Sequence, residues 1–194
     1  YRMAASEWLS KETYTIQPYA SLATGANELS AMDMASGIQT LANSGVHREP
    51  YMIQRIDDSK GTILFENEAS VAEQTLPIDV ANNAADIMRG VIEFGTARRT
   101  PLEGGRQAAG KTGTQDNNTN AWFVGFTPQF STAVWVGDPK GYTKMTSRNV
   151  PEFASVIAGR GGVQGSMFPA MIWKSYMDDV HEGLEKISFP TPPP

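Results

Sequence analysis

The stretch Ala108-Ala109-Gly110-Lys111-Thr112-Gly113-Thr114-Gln115 constrains the chain more than any other. Small residues and glycines lead into a lysine flanked by hydroxyls. Two apolar segments follow, Ala121 to Phe126 and Thr132 to Gly137, rich in β-branched and aromatic residues and free of charge. Such segments read as strands. Thr127-Pro128-Gln129 supplies a tight turn between them. The economical arrangement is an antiparallel meander built from residues near 106–115, 120–127 and 131–137, with the lysine segment outermost. Glycine and alanine on an outer strand leave its backbone open to a ligand. The expected class is α+β, an antiparallel sheet with flanking helices.

Composition narrows the options. At 194 residues and 40% hydrophobic content, the chain can bury one core. A formal net charge of −5 argues against nucleic acid as a partner, which calls for a basic patch. No run of eighteen apolar residues is present, so no segment reads as a membrane-spanning helix. Cysteine is absent, and His47 and His181 stand far apart without ligand partners nearby. Neither a disulfide framework nor a metal site is expected, and no cofactor is called for.

Three helices have clear signals. Ser30 followed by Asp33 has capping-box spacing, and Ala31, Met34, Ala35, Ile38, Leu41 and Ala42 recur at helical intervals up to Gly45. Pro77 opens a second helix over about 78–92, with Val80, Ala84, Ile87, Met88 and Val91 as its expected buried face. It ends at Phe94-Gly95-Thr96-Ala97, where glycine permits a sharp change of direction. The third runs from about Met167 to Val180, and Phe168, Ile172, Trp173, Tyr176, Met177 and Val180 should pack across the sheet. Met3 to Leu9 reads as the end of a further helix.

The remaining segments read as connections. Tyr51–Ile56 and Thr62–Phe65 suggest a hairpin turning at Asp57-Asp58-Ser59-Lys60-Gly61, whose aspartates are turn residues and not metal ligands. Asn67 to Thr75 reads as a polar, mobile link. Arg98, Arg99 and Arg106 read as solvated loop residues. Gly161 to Gly165 lacks the features of a phosphate loop. Residues 1–183 form the domain portion, and residues 184–194 a proline-rich tail leaving the fold.

Lys-Thr-Gly alone is weak, since roughly one unrelated chain of this length in ten carries Lys-[Ser/Thr]-Gly by chance. Its context is more specific. Thr114 follows directly, Asn120-Ala121-Trp122-Phe123-Val124-Gly125-Phe126-Thr127-Pro128 comes after a short loop, and the next strand ends Val134-Trp135-Val136-Gly137. With these motifs the chain resembles the transpeptidase domain of penicillin-binding proteins, most closely the bifunctional, high-molecular-weight class A. The segments Tyr19–Gly25, Gly95-Thr96-Ala97 and Pro169–Lys174 extend the likeness over nearly the whole chain.

The resemblance implies a serine D,D-transpeptidase that cross-links peptidoglycan stem peptides and is acylated by β-lactam antibiotics. It implies work on the extracytoplasmic face of the bacterial membrane, with the anchor outside this chain. Carried over residue by residue, Lys111 places a positive charge in the cleft. The Thr112 and Thr114 hydroxyls receive the donor peptide's terminal carboxylate, Gly113 leaves room for approach, and the Thr114 backbone N–H is an oxyanion donor. The strand itself pairs with the extended substrate.

One departure is decisive for the expected chemistry. No serine in the chain has a lysine three residues later. Ser147-Arg148-Asn149 has the letters of the family's second motif but follows the lysine strand, where the family's precedes it. The chain therefore reads as the C-terminal half of a transpeptidase domain, inactive alone, with the nucleophile and its lysine before Tyr1. The open edge of Thr132–Gly137 should be covered by the N-terminal half, another chain or a rearranged segment. Two alternatives stay open: a β-lactamase-related hydrolase, marked by rapid β-lactam turnover, and a non-catalytic penicillin-binding sensor module.

Overall fold

The computed structural model describes residues 16–68, 72–157 and 159–192; the expected helix end Met3–Leu9 lies outside them. Along the chain come α1 (Ala31–Ala42), β1 (Val46–His47), β2 (Arg55–Asp57), β3 (Ile63–Glu66), β4 (Glu73–Gln74) and α2 (Ile78–Glu93). They are followed by β5 (Ala109–Thr114), β6 (Asn120–Phe126), β7 (Ser131–Gly137), α3 (Ala154–Ile157) and α4 (Phe168–Val180). The main sheet has the order β5-β6-β7 and is antiparallel throughout. Its register pairs Lys111 with Val124, Thr112 with Phe123 and Thr114 with Ala121. The expected meander and the α+β class are both present.

Helices cover both faces of this sheet. On one, α4 packs Ala170, Trp173 and Met177 against Phe123, together with Ile92, Ala97, Leu102 and Ala108. Phe123 and Trp173 are fully buried and meet edge to face, with ring centres 4.9 Å apart. Such a pair contributes about 0.5–1.5 kcal/mol beyond the area it buries. On the other face, Ile38, Leu41 and Ala42 of α1 and Ala85 of α2 enclose Ala109 and Phe126. The capping box forms as expected: Asp33 N–H donates to Ser30 Oγ, and Ser30 N–H donates to Asp33 Oδ2, each at 3.1 Å.

Several expectations need correction. Val80 and Ile87 of α2 are exposed, and the helix instead buries Ala81, Asn82, Ala85, Gly90 and Ile92. Small alanine side chains let α2 come close to β5, and that close fit selects the face. Ile172 and Tyr176 of α4 are likewise exposed. There the narrow line Ala170, Trp173, Met177 makes the contact, because the Trp173 indole lies where a Gly125 side chain would be. Arg106 is buried: its guanidinium donates to Gln129 Oε1 at 2.7 Å and to the carbonyls of Leu184 and Glu185 at 2.8 Å. The link before α2 is partly ordered, since β4 pairs with β1 and the N–H groups of Thr75 and Leu76 donate to the Gly45 carbonyl.

The hairpin β2–β3 forms with Gly61 at φ 81°; β2 is shorter than expected, whereas β3 keeps the expected length one residue further along. Residues 184–189 do not leave the fold as expected but are held against it, because buried Arg106 binds the Leu184 and Glu185 carbonyls and Phe189 packs on the Phe126 cluster. Phe189 meets Phe126 edge to face at 5.5 Å, and its N–H donates to Gln107 Oε1 at 2.9 Å. Among the described residues, β7 pairs with β6 on one side and with no strand on the other. Its seven residues are half-buried.

Candidate active site

The lysine strand is delivered by a rigid turn. At the end of α2, Phe94 and Gly95 both donate their N–H to the Gly90 carbonyl, and Ala97 N–H donates to Val91 O. A Cβ on Gly95 would stand 2.8 Å from Val91 Cα, so glycine alone fits this reversal. Buried Ala97 then fixes the chain, which leaves Thr96 exposed beside β5.

The backbone of β5 has two unlike edges. Gln115 N–H donates to the Asn120 carbonyl, so residue 115 points its main chain toward β6. By the alternation of an antiparallel ladder, residues 113, 111 and 109 do the same. The N–H and C=O of Gly110, Thr112 and Thr114 therefore point away from β6, along an edge with no strand beside it among the described residues. Lys111 Nζ folds back to donate to the outward Thr112 carbonyl at 2.8 Å. Side chains alternate the other way. Lys111 and Gly113 lie on one face of the strand, and Thr112 and Thr114 on the opposite one.

Both threonine hydroxyls are held from outside the strand. Thr112 Oγ1 lies 3.0 Å from Thr96 Oγ1. Thr114 Oγ1 accepts the Gly165 N–H at 3.0 Å. Gly165 rests directly on the sheet: a Cβ there would meet the Trp122 carbonyl oxygen and come within 2.5 Å of Gly113 O. Gly110 is confined in the same way, because a Cβ would stand 2.8 Å from the Phe123 ring. Lys111 and Thr114 are exposed, and Thr112 and Gly113 half-exposed.

Sequence reading brought Lys111, Thr112, Gly113 and Thr114 together, and the structure places them on one edge. It did not connect Thr96 or Gly165 with them. The available signal for Gly165 was a glycine-rich link just before a helix that must cross the sheet, where close backbone approach calls for glycine. Among the described residues there is no group of three or more His, Cys, Asp or Glu able to hold a metal ion. Nor is any described helix long and apolar enough to cross a membrane.

The family model described as penicillin binding protein transpeptidase domain matches residues 4–157. The chain belongs to the penicillin-binding protein transpeptidase family. It is 35% identical over 182 residues to penicillin-binding protein 1A of Mycobacterium tuberculosis, covering 90% of this chain and 21% of that relative. The chain thus spans about a fifth of the length of the curated relatives that lead the comparison. In three dimensions it is similar to the penicillin-binding protein PonA1 of the same organism, with a TM-score of 0.79 and 33% identity over 91% of this chain and 45% of that one. PonA1 in complex with penicillin V matches with a TM-score of 0.78 and 34% identity, again over 91% and 45%. Family membership accounts for the antiparallel sheet and its flanking helices.

Proposed function

We propose that Lys111, Thr112, Gly113 and Thr114 form one wall of the cleft of a serine D,D-transpeptidase that cross-links peptidoglycan stem peptides and is acylated by β-lactams. The observation that carries this reading is the edge of β5 that pairs with no strand among the described residues, with the main chains of Thr112 and Thr114 directed outward beside two anchored hydroxyls. An extended peptide laid on that edge gains main-chain hydrogen bonds. The Thr114 N–H serves as an oxyanion donor in this reading, and the Thr112 and Thr114 hydroxyls receive a carboxylate. Lys111 supplies positive charge. The relative whose structure is in complex with penicillin V, similar over most of this chain, supports a β-lactam as ligand.

The nucleophilic serine and its activating lysine come from sequence outside residues 1–194, since no serine here is followed by lysine three residues on. Covalent catalysis needs a nucleophile within hydrogen-bond reach of its base. This chain alone is therefore inactive, and intact-mass measurement after incubation with penicillin should show no added mass. The free side of β7 is completed by the rest of the domain or by another chain. Residues 1–183 are the C-terminal part of the transpeptidase domain and residues 184–194 its proline-rich tail. The complete protein works on the extracytoplasmic face of the bacterial membrane.

The test is Lys111→Ala in the complete protein. Acylation by a fluorescent penicillin should slow by about a hundredfold, the scale of losing one preorganised electrostatic group. The melting temperature should stay within two or three degrees, as expected for an exposed side chain. Unchanged acylation would remove Lys111 from the cleft, and rapid β-lactam turnover by the parent would replace the transpeptidase with a hydrolase.

A further inference from the structure

We infer that Thr96 is a positioning residue that sets the proton direction of Thr112 and so tunes the cleft to an acceptor-only, anionic group. This rests on the reading of Thr112 and Thr114 as carboxylate binders given above. The argument begins with the hydroxyl inventory. A threonine hydroxyl has one proton to give and two lone pairs to receive with. A carboxylate has no proton to offer when ionised, so any hydroxyl that binds it must donate.

Thr114 is already committed to that role. Its oxygen accepts the Gly165 N–H, so its own proton is free to leave the strand. Thr112 differs. Its oxygen lies 3.0 Å from that of Thr96, and either could be the donor in that pair. If Thr112 donated to Thr96, it would have no proton left for a ligand. With an anion on the open edge, the only arrangement that satisfies all three groups is Thr96 O–H to Thr112 Oγ1, and Thr112 O–H to the anion. Thr112 and Thr114 lie on the same face of β5, about 6.6 Å apart along an ideal strand. Their two protons can then converge on the oxygens of one carboxylate. A hydrogen bond to a charged group is stronger than one between neutral groups, so the anion itself favours this direction of donation.

Thr96 is built for fixed placement. The chain on its N-terminal side is locked by the reversal at Gly95, and on its C-terminal side by buried Ala97. Its hydroxyl reaches β5 from a segment 16 residues earlier, across a turn that cannot shift without breaking the end of α2. A threonine at 96 is needed neither by the turn, which uses Gly95, nor by the core, which uses Ala97.

The experiment compares Thr96→Val, Thr96→Ala, Thr96→Ser and Thr112→Val in the complete protein. The probes are benzylpenicillin and its methyl ester, whose carboxyl group carries no charge. For Thr96→Val and Thr96→Ala, acylation by benzylpenicillin should fall about three- to tenfold, the scale of one net hydrogen bond. Acylation by the ester should stay at the parent's rate, and Thr96→Ser should restore the preference for the acid. Thr112→Val should lose the same preference to a larger degree. Parent-like preference in both Thr96→Val and Thr96→Ala, with preference lost in Thr112→Val, overturns the role of Thr96 alone. Equal slowing of acid and ester by the Thr96 variants also overturns it, since that marks a general disturbance of β5. Unchanged preference in Thr112→Val overturns the carboxylate reading on which the inference rests.

Discussion

The Thr127 hydroxyl and the Nε2 of His181 lie 2.9 Å apart, and both residues are buried at the base of the β6–β7 turn. The neighbouring bonds fix who donates. His181 Nδ1 lies 2.6 Å from the Met177 carbonyl, which can only accept, so Nδ1 carries the proton. Thr127 Oγ1 accepts the N–H groups of Gln129 and Phe130 at 3.1 Å, and its own proton goes to the bare Nε2. Protonating Nε2 would put an N–H against an oxygen whose lone pairs are already used.

Burial holds the His181 imidazole below its ordinary pKa, and the Arg106 charge adds to that, against raising contributions from the Met177 carbonyl and Asp178. As pH falls through the ordinary imidazole range, the unfolded chain takes up a proton before the folded one. Stability from this site is therefore complete above the unfolded value and is lost as pH falls toward the lower, folded value. Denaturant midpoints should drop between pH 7.5 and pH 5, and His181→Gln should remove that part of the slope. Equal slopes in parent and variant would mean that His181 does not titrate with folding.

Gly165→Ala should damage fold and site together. The new methyl would press on the Trp122 carbonyl and the Gly113 backbone, neither of which can turn aside as a side chain can. Overpacking of this kind costs about 1–3 kcal/mol. Relief requires the 162–165 link to lift, which breaks the Gly165 bond to Thr114. A lowered unfolding midpoint with slower β-lactam acylation in the complete protein is expected. A neutral result would mean that the link does not rest on β5.

Arg106→Met tests the anchoring of the segment after residue 183. The substitution keeps much of the stem volume but leaves two carbonyls and the Gln129 amide without their charged donor. A loss of about 2–3 kcal/mol is expected, together with new proteolytic cleavage between residues 184 and 189. Resistance to cleavage equal to that of the parent would show that the contacts of Lys186 and Phe189 hold the segment without Arg106.

Ile87→Glu addresses the outer stripe of α2. Ile87 is 77% exposed, so a charge there should change the stability of this chain by less than about 0.5 kcal/mol. Ala85→Glu, two residues earlier on the opposite side of the helix and packed against Phe126 and Ala109, should unfold it. A large loss from Ile87→Glu in this chain would mean that α2 packs with the opposite face.

These residues also show where sequence reading succeeds and stops. The strands β5 to β7 were legible because charge-free, β-branched runs separated by Thr127-Pro128-Gln129 have few other solutions. Helix α1 was legible because its cap is local: Ser30 and Asp33 satisfy one another within a single turn. The buried faces of α2 and α4 were not. Both helices carry apolar residues on more than one side, and the choice falls to the side with the closest fit, Ala81 and Ala85 in one and Trp173 against Gly125 in the other. That fit depends on a partner surface far away in sequence. The candidate site divides in the same way. Lys111 to Thr114 is contiguous and could be read as letters, whereas Thr96 and Gly165 reach it across 16 and 51 residues.

The outward main chain of Thr112 and Thr114 sets a limit on how this surface can change over time. Amide and carbonyl groups are the same for every residue except proline, so no ordinary exchange of side chain deletes them. A ligand held there keeps those bonds while its neighbours mutate. Escape from such a ligand has to come by moving the strand, through the residues that set its height and tilt. Gly110 under Phe123, Gly165 over Gly113 and the reversal at Gly95 are the three hinges of that adjustment. Variation that blunts an inhibitor is thus expected to gather behind the strand and not on its face.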